Sequence, residues 1–214
     1  MMSAYDKTYL YDAMDALAEA FDYAARDDRV GAQRFFDLFV QTDIAAAFGG
    51  GSPRYVAGMS GIELVLQVCE RAGMRLDPLC EALHAPLDRS PEYWCGWILA
   101  YAQWRSGRPF ASLHEKVSMK DLMRLYEPLH EASEDRAADA IESLIDRKAQ
   151  PTRLKTIRQA RGMTQKQLAR ASGASLRAVQ QYEQRAKDIN GAHAMKLYAL
   201  ARTLGCTMED LLEF

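Results

Sequence analysis

Four neighbouring side chains carry the most telling chemistry in the 214 residues: Leu176, Arg177, Gln180 and Gln181. An arginine fork fits the O6 and N7 acceptors of guanine. A glutamine amide matches the N6 and N7 edge of adenine, and an apolar side chain suits the methyl group of thymine. The four residues share the outward side of a short amphipathic segment, whose other side carries Val179 and Tyr182 at a helical step of three. A face of this kind is built to read base edges, provided that something holds it rigidly outward.

The flanking residues predict what holds it. Thr164 and Gln167 have the spacing of a capping box, so a helix is expected over about 165–172 with Leu168, Ala169 and Ser172 turned inward. Gly173 follows where a left-handed residue ends a helix at little cost. Ser175 is placed to cap the second helix, expected over about 175–184. The small Ala169 lets the two helices cross closely. Two short helices joined by such a turn define helix-turn-helix geometry, whose second helix enters the major groove.

With those residues in view, Leu154–Leu212 resembles the Cro/phage-repressor class of helix-turn-helix domain, the Xre family. The matching residues begin with Leu154, Ile157, Arg158 and Gly162-Met163-Thr164-Gln165. They continue through Leu168-Ala169, Gly173, Ser175, Val179 and Tyr182-Glu183, then Leu197, Ala201, Leu204-Gly205, Met208 and Leu211-Leu212. The resemblance implies a five-helix, lambda-repressor-like fold. It implies that Gln165 reaches a phosphate from a helix N-terminus, and that Ser175, Leu176, Arg177 and Gln181 touch bases or the phosphates beside them. It also implies an internal ion pair between Arg158 and Glu183. Lys166, Arg170, Gln184 and Lys187 are further candidates for backbone contacts, which position without specifying. After Glu183 the family often has Asn or Arg followed by Gly. Here the chain reads Gln184-Arg185-Ala186-Lys187, which predicts a longer or more helical loop.

Charge divides the chain at the same place. Residues 1–150 hold 16 Lys and Arg against 24 Asp and Glu, while residues 151–214 hold 11 against 5. The second segment is a basic module suited to a phosphate backbone, and the first is not. The boundary is expected near Ala149-Gln150-Pro151, giving an acidic domain over 1–150 and the DNA-binding domain over 151–214.

Ahead of that boundary the pattern is helical throughout, so the expected fold class is all-α. Amphipathic helices are predicted over 5–26, 29–48, 60–72, 76–83, 118–126 and 133–148. An aromatic helix that begins at Ser90-Pro91 carries Trp94, Trp97 and Trp104. Pro128 is expected to end the helix over 118–126. In the basic domain the remaining helices are predicted over 153–161, 191–204 with Asn190 as cap, and 208–213 with Thr207 and Asp210 as a capping box. The tryptophans at helical spacing read first as core, with a partner-binding groove as the alternative. The phrases YVAGMSGIELV and YWCGWILAYAQW resemble an uncharacterised helical region found fused to Xre-type domains, a class that often sits beside toxin genes.

Enzyme chemistry finds no foothold. None of His84, His114, His130 and His193 lies in an H-x-x-x-H or H-E-x-x-H setting, and there is no G-x-S-x-G elbow. No metal or cofactor is expected. Cys69, Cys80, Cys95 and Cys206 form no C-x-x-C pair, which suits free thiols in a reducing cytoplasm. The N-terminus lacks the features of a secretory signal, and no apolar run reaches the roughly 20 residues a membrane helix needs. The expected function is that of a sequence-specific transcriptional regulator, a repressor acting as a homodimer on palindromic double-stranded DNA. Its acidic domain would bind a protein partner or a small-molecule effector, or would dimerise. The alternative is an antitoxin-like interaction module, with DNA binding serving only autoregulation.

Overall fold

The computed structural model describes residues 3–76 and 89–213, and among these the regular structure is entirely helical. The chain forms two compact units, Met1–Arg147 and Lys148–Phe214.

The first unit is organised around α1 (Leu10–Arg26), which follows a 3-10 turn at Lys7–Tyr9. Its buried residues Leu10, Met14, Leu17, Phe21 and Ala24 recur at steps of three and four, and Ala13, Ala18 and Ala20 keep the helix narrow. Two other helices come into near backbone contact with it. In α5 (Gly61–Arg71), a Cβ on Gly61 would lie 2.4 Å from the Ala20 nitrogen. In α6 (Pro91–Ser106), a Cβ on Gly96 would lie 2.5 Å from the Leu17 carbonyl oxygen. These glycines set the helix spacing. Around this trio stand α2 (Ala32–Gln41), α3 (Asp43–Gly49), α4 (Pro53–Val56), α7 (Phe110–His114), α8 (Met119–Leu129) and α9 (Glu134–Ala149). Phe39, Phe48 and Phe110 meet edge to face at centroid distances of 5.1–5.9 Å.

Several expectations need correction. The helix predicted over 29–48 is two helices. Thr42 adopts an extended backbone between α2 and α3, and its hydroxyl donates to the Phe39 carbonyl at 2.8 Å. The break lets Phe39 and Phe48 enter one aromatic cluster from separate axes. The short α7 was not anticipated. Pro128 does not stop α8 but lies in its last turn, where few helical bonds remain to lose; the His130 N–H still reaches the Tyr126 carbonyl at 2.8 Å. The helix expected over 76–83, with Cys80 and His84, lies outside the described residues from 77 onward. The tryptophans of α6 are partly buried against the core. Trp104 donates to the Tyr5 carbonyl at 2.8 Å and Trp97 to Glu134 at 3.3 Å.

The second unit contains α10 (Arg153–Ala160), α11 (Gln165–Ser172), α12 (Leu176–Glu183) and α13 (Ala194–Leu204), closed by a 3-10 turn at Glu209–Leu211. Its core gathers Leu154, Leu168, Val179, Tyr182, Ile189, Leu200, Leu204 and Leu211. α13 begins three residues later than predicted, with His193 as its N-cap, because Asn190 is engaged with the backbone of Glu213 instead. The predicted last helix is only a 3-10 turn, although Thr207 and Asp210 exchange both capping bonds.

The close approach at α1 yields a stability prediction. Gly96→Ala should destabilise the first unit by about 1–3 kcal/mol, since the methyl group meets backbone that cannot rotate away. Urea unfolding followed by tryptophan fluorescence reads the change; an unaltered midpoint would contradict the packing described.

Candidate nucleic-acid interface

Three local devices set the geometry of α11 and α12. Thr164 Oγ accepts from the Gln167 N–H at 3.2 Å, and Gln167 Oε1 accepts from the Thr164 N–H at 2.8 Å, which closes the capping box. Gly173 takes the left-handed conformation at φ 70°, as the turn requires. Ser175 Oγ then accepts the Ala178 N–H at 3.1 Å and starts α12.

Two kinds of contact hold α12 in place. Val179 and Tyr182 are buried in the core. At its last residue, Glu183 receives a fork from Arg158: Nε donates to Oε1 at 2.6 Å and Nη2 to Oε2 at 2.9 Å. The third guanidinium nitrogen of Arg158, Nη1, donates to the Met163 carbonyl at 2.6 Å, and Gln165 Nε2 donates to Glu183 Oε2 at 2.8 Å. α10, the turn after it, α11 and α12 thus converge on one carboxylate. Burial pushes the Glu183 pKa up, but the hydrogen bonds from Arg158 and Gln165 outweigh it and hold the group below the usual glutamate range. The bonds to Glu183 hold Arg158 above its ordinary value against the opposing effect of burial.

The outward residues are distributed as follows. Arg177 and Gln184 are exposed, and Gln180 and Gln181 are half-buried along the same helix. Ser175 is exposed, with its oxygen accepting the cap bond and its hydroxyl proton left to donate. Leu176 is more inward than expected. It is half-buried and packs against the domain core, which leaves only part of its side chain for an outside methyl contact. Lys166 and Arg170 are exposed on α11. Lys187 is exposed, with its ammonium 5.9 Å from the Tyr182 ring centre. Gln165 is half-buried, and one N–H of its amide is engaged with Glu183, which ties the start of α11 to the end of α12 and leaves the second N–H of that amide to donate. The loop after α12 is not helical, and Arg185 within it adopts φ 55°. Sequence reasoning gave that arginine no role; its place where the family often has glycine was the available signal.

Residues 153–214 match the family model of the Cro/C1-type HTH DNA-binding domain. No curated protein and no solved structure gives a significant match to the chain. The second unit therefore contains a Cro/C1-type helix-turn-helix DNA-binding domain, with α12 in the place of the recognition helix. The chain is accordingly a DNA-binding transcriptional regulator. Among the described residues, no group of three or more His, Cys, Asp or Glu side chains could hold a metal ion. No helix among them is long and apolar enough to cross a membrane.

The depressed Glu183 pKa fixes the direction of a pH effect. Its stabilisation is present above the ordinary glutamate value of about 4.5 and is lost as pH falls from there through the folded-state value. Hydrogen exchange in α10–α12 should show that acid loss in the parent chain and little of it in Glu183→Ala. That variant should be weaker by about 3–5 kcal/mol at neutral pH, because it strands Arg158. An unchanged acid profile in the variant would remove Glu183 from this role.

Proposed function

We propose that the chain is a repressor that binds a palindromic operator as a homodimer, with one α12 in the major groove of each half-site. Two such helices would lie about 34 Å apart on one face of the duplex. Arg177 and Gln181 read base edges. Ser175 donates to a base or a neighbouring phosphate, and the exposed part of Leu176 meets a thymine methyl. Gln165, Lys166, Arg170, Gln184 and Lys187 contact the backbone. The observation that carries this reading is the outward placement of Arg177 on a helix fixed at its start by Ser175 and at its end by the buried Arg158–Glu183 pair.

The antitoxin-like reading, in which residues 1–150 bind a protein partner, is favoured by one observation. Tyr11, 64% exposed, packs edge to face on Trp97, beside Tyr93, Trp94 and Tyr126 on a partly exposed aromatic face. Partner-binding surfaces are enriched in aromatic residues.

Selection of bound duplexes from random DNA, followed by titration, tests the main reading. Arg177→Ala should lose roughly 1–3 kcal/mol on the recovered duplex and little on a shuffled one. Equal losses on both would refute base readout by Arg177. Repeating the titration with the protein encoded beside this one separates the second reading: binding altered by that protein, and restored to its unaltered value by Tyr11→Ala, favours it. No alteration removes it.

A further inference from the structure

Arg185, two residues beyond α12, is the one non-glycine residue with positive φ among those described. Such a backbone is unfavourable for any residue with a Cβ and persists only where the surroundings enforce it. Here they do. Arg185 Nε and Nη2 donate to Glu213 Oε2 at 3.1 and 2.8 Å, and Nη1 donates to the Gln150 carbonyl at 2.7 Å. Glu213 is held in turn. Its Oε1 accepts the Arg153 N–H at the start of α10 at 2.8 Å, and its backbone is bonded in both directions by the Asn190 side chain. One guanidinium therefore joins three parts of the second unit: the exit of α12, the chain entering at Gln150 and the segment that closes the core. A glycine would satisfy the backbone at this position without strain, but it could make none of these bonds.

We infer that Arg185 is a positioning residue for DNA reading, a clamp that fixes the exit of α12, and so the aim of Arg177 and Gln181, against Gln150 and Glu213. The inference rests on the DNA-reading role proposed above. Arg185 commits Nε and one N–H of each terminal nitrogen within the protein, which pairs its charge with Glu213.

The sign of a charge effect provides the test. Glu213→Ala removes a negative charge from a unit that meets a polyanion, so electrostatics alone would tighten binding. The clamp requires the opposite. The full-length chain, titrated by fluorescence anisotropy onto its selected duplex, should bind roughly tenfold more weakly as Glu213→Ala and as Arg185→Gly, and the double variant should be no weaker than either. Arg185→Gly relieves the left-handed backbone as it removes these bonds, so its melting temperature should change little while affinity falls, a split that a purely structural role would not produce. Its salt slope should match the parent's. Glu213→Ala binding as tightly as the parent, or a slope reduced by about one in Arg185→Gly, which would mark a direct phosphate contact, overturns the inference. If the parent chain itself prefers no duplex, the DNA-reading role fails and the clamp's function falls with it.

Discussion

The second unit depends on one buried carboxylate. Glu183 has a side-chain exposure of 2%, and its partner Arg158 of 10%. Taking such a pair out of water costs several kcal/mol per ion, which their attraction offsets only where the geometry is excellent and the remaining donors and acceptors are satisfied. Both conditions hold. The contact is a two-point fork, the spare arginine nitrogen finds the Met163 carbonyl, and Gln165 supplies a further donor to Glu183. An apolar cluster could bury as much surface, but it would not fix the rotation of α12. A fork with directional bonds does, and rotation about its own axis decides which residues a recognition helix offers.

The first unit solves a different problem by different means. Its helices are held at close range through glycine and alanine at the α1 crossings, where Glu19 also accepts from the Gly61 N–H and Asp15 from the Tyr93 hydroxyl. Dispersion between closely packed backbones rewards shape and punishes added volume. Gly61 and Gly96 fall inside the two apolar phrases that stand out in the sequence, which gives those phrases a packing rationale independent of any partner. The aromatic side chains of α6 serve both ends: Trp104 is tied to Tyr5, while Trp97 meets the exposed Tyr11 at right angles with ring centres 5.3 Å apart.

Much of this was legible in the sequence wherever the signal is local. Thr164 with Gln167, the glycine at 173 and the serine at 175 specify α11 and the turn to α12 through short-range hydrogen bonds and one φ value. The ends of α11 fall where the spacing puts them. The all-helical class follows from apolar periodicity in the same way. What was not legible depends on distant residues. Leu176 sits on the border between the two faces, and tertiary packing draws it inward. Gln165 turns to Glu183, 18 positions away in the chain. Arg185 holds a glycine-like conformation only because Glu213 and Gln150 meet it. The break at Thr42 lets Phe39 and Phe48 share one cluster with Phe110, a partner far along the chain that no local window of sequence contains.

The central claim is that the outward side of α12 lies against bases in the major groove. Photochemical cross-linking from 5-iodouracil tests it directly, because iodine takes the place of the thymine methyl group and so reports from the floor of that groove. With iodouracil placed through the selected duplex and the full-length chain bound at moderate salt, peptide mapping should locate the adducts within 175–184. Adducts confined to residues 1–150, or to the buried side of α12, would contradict the account.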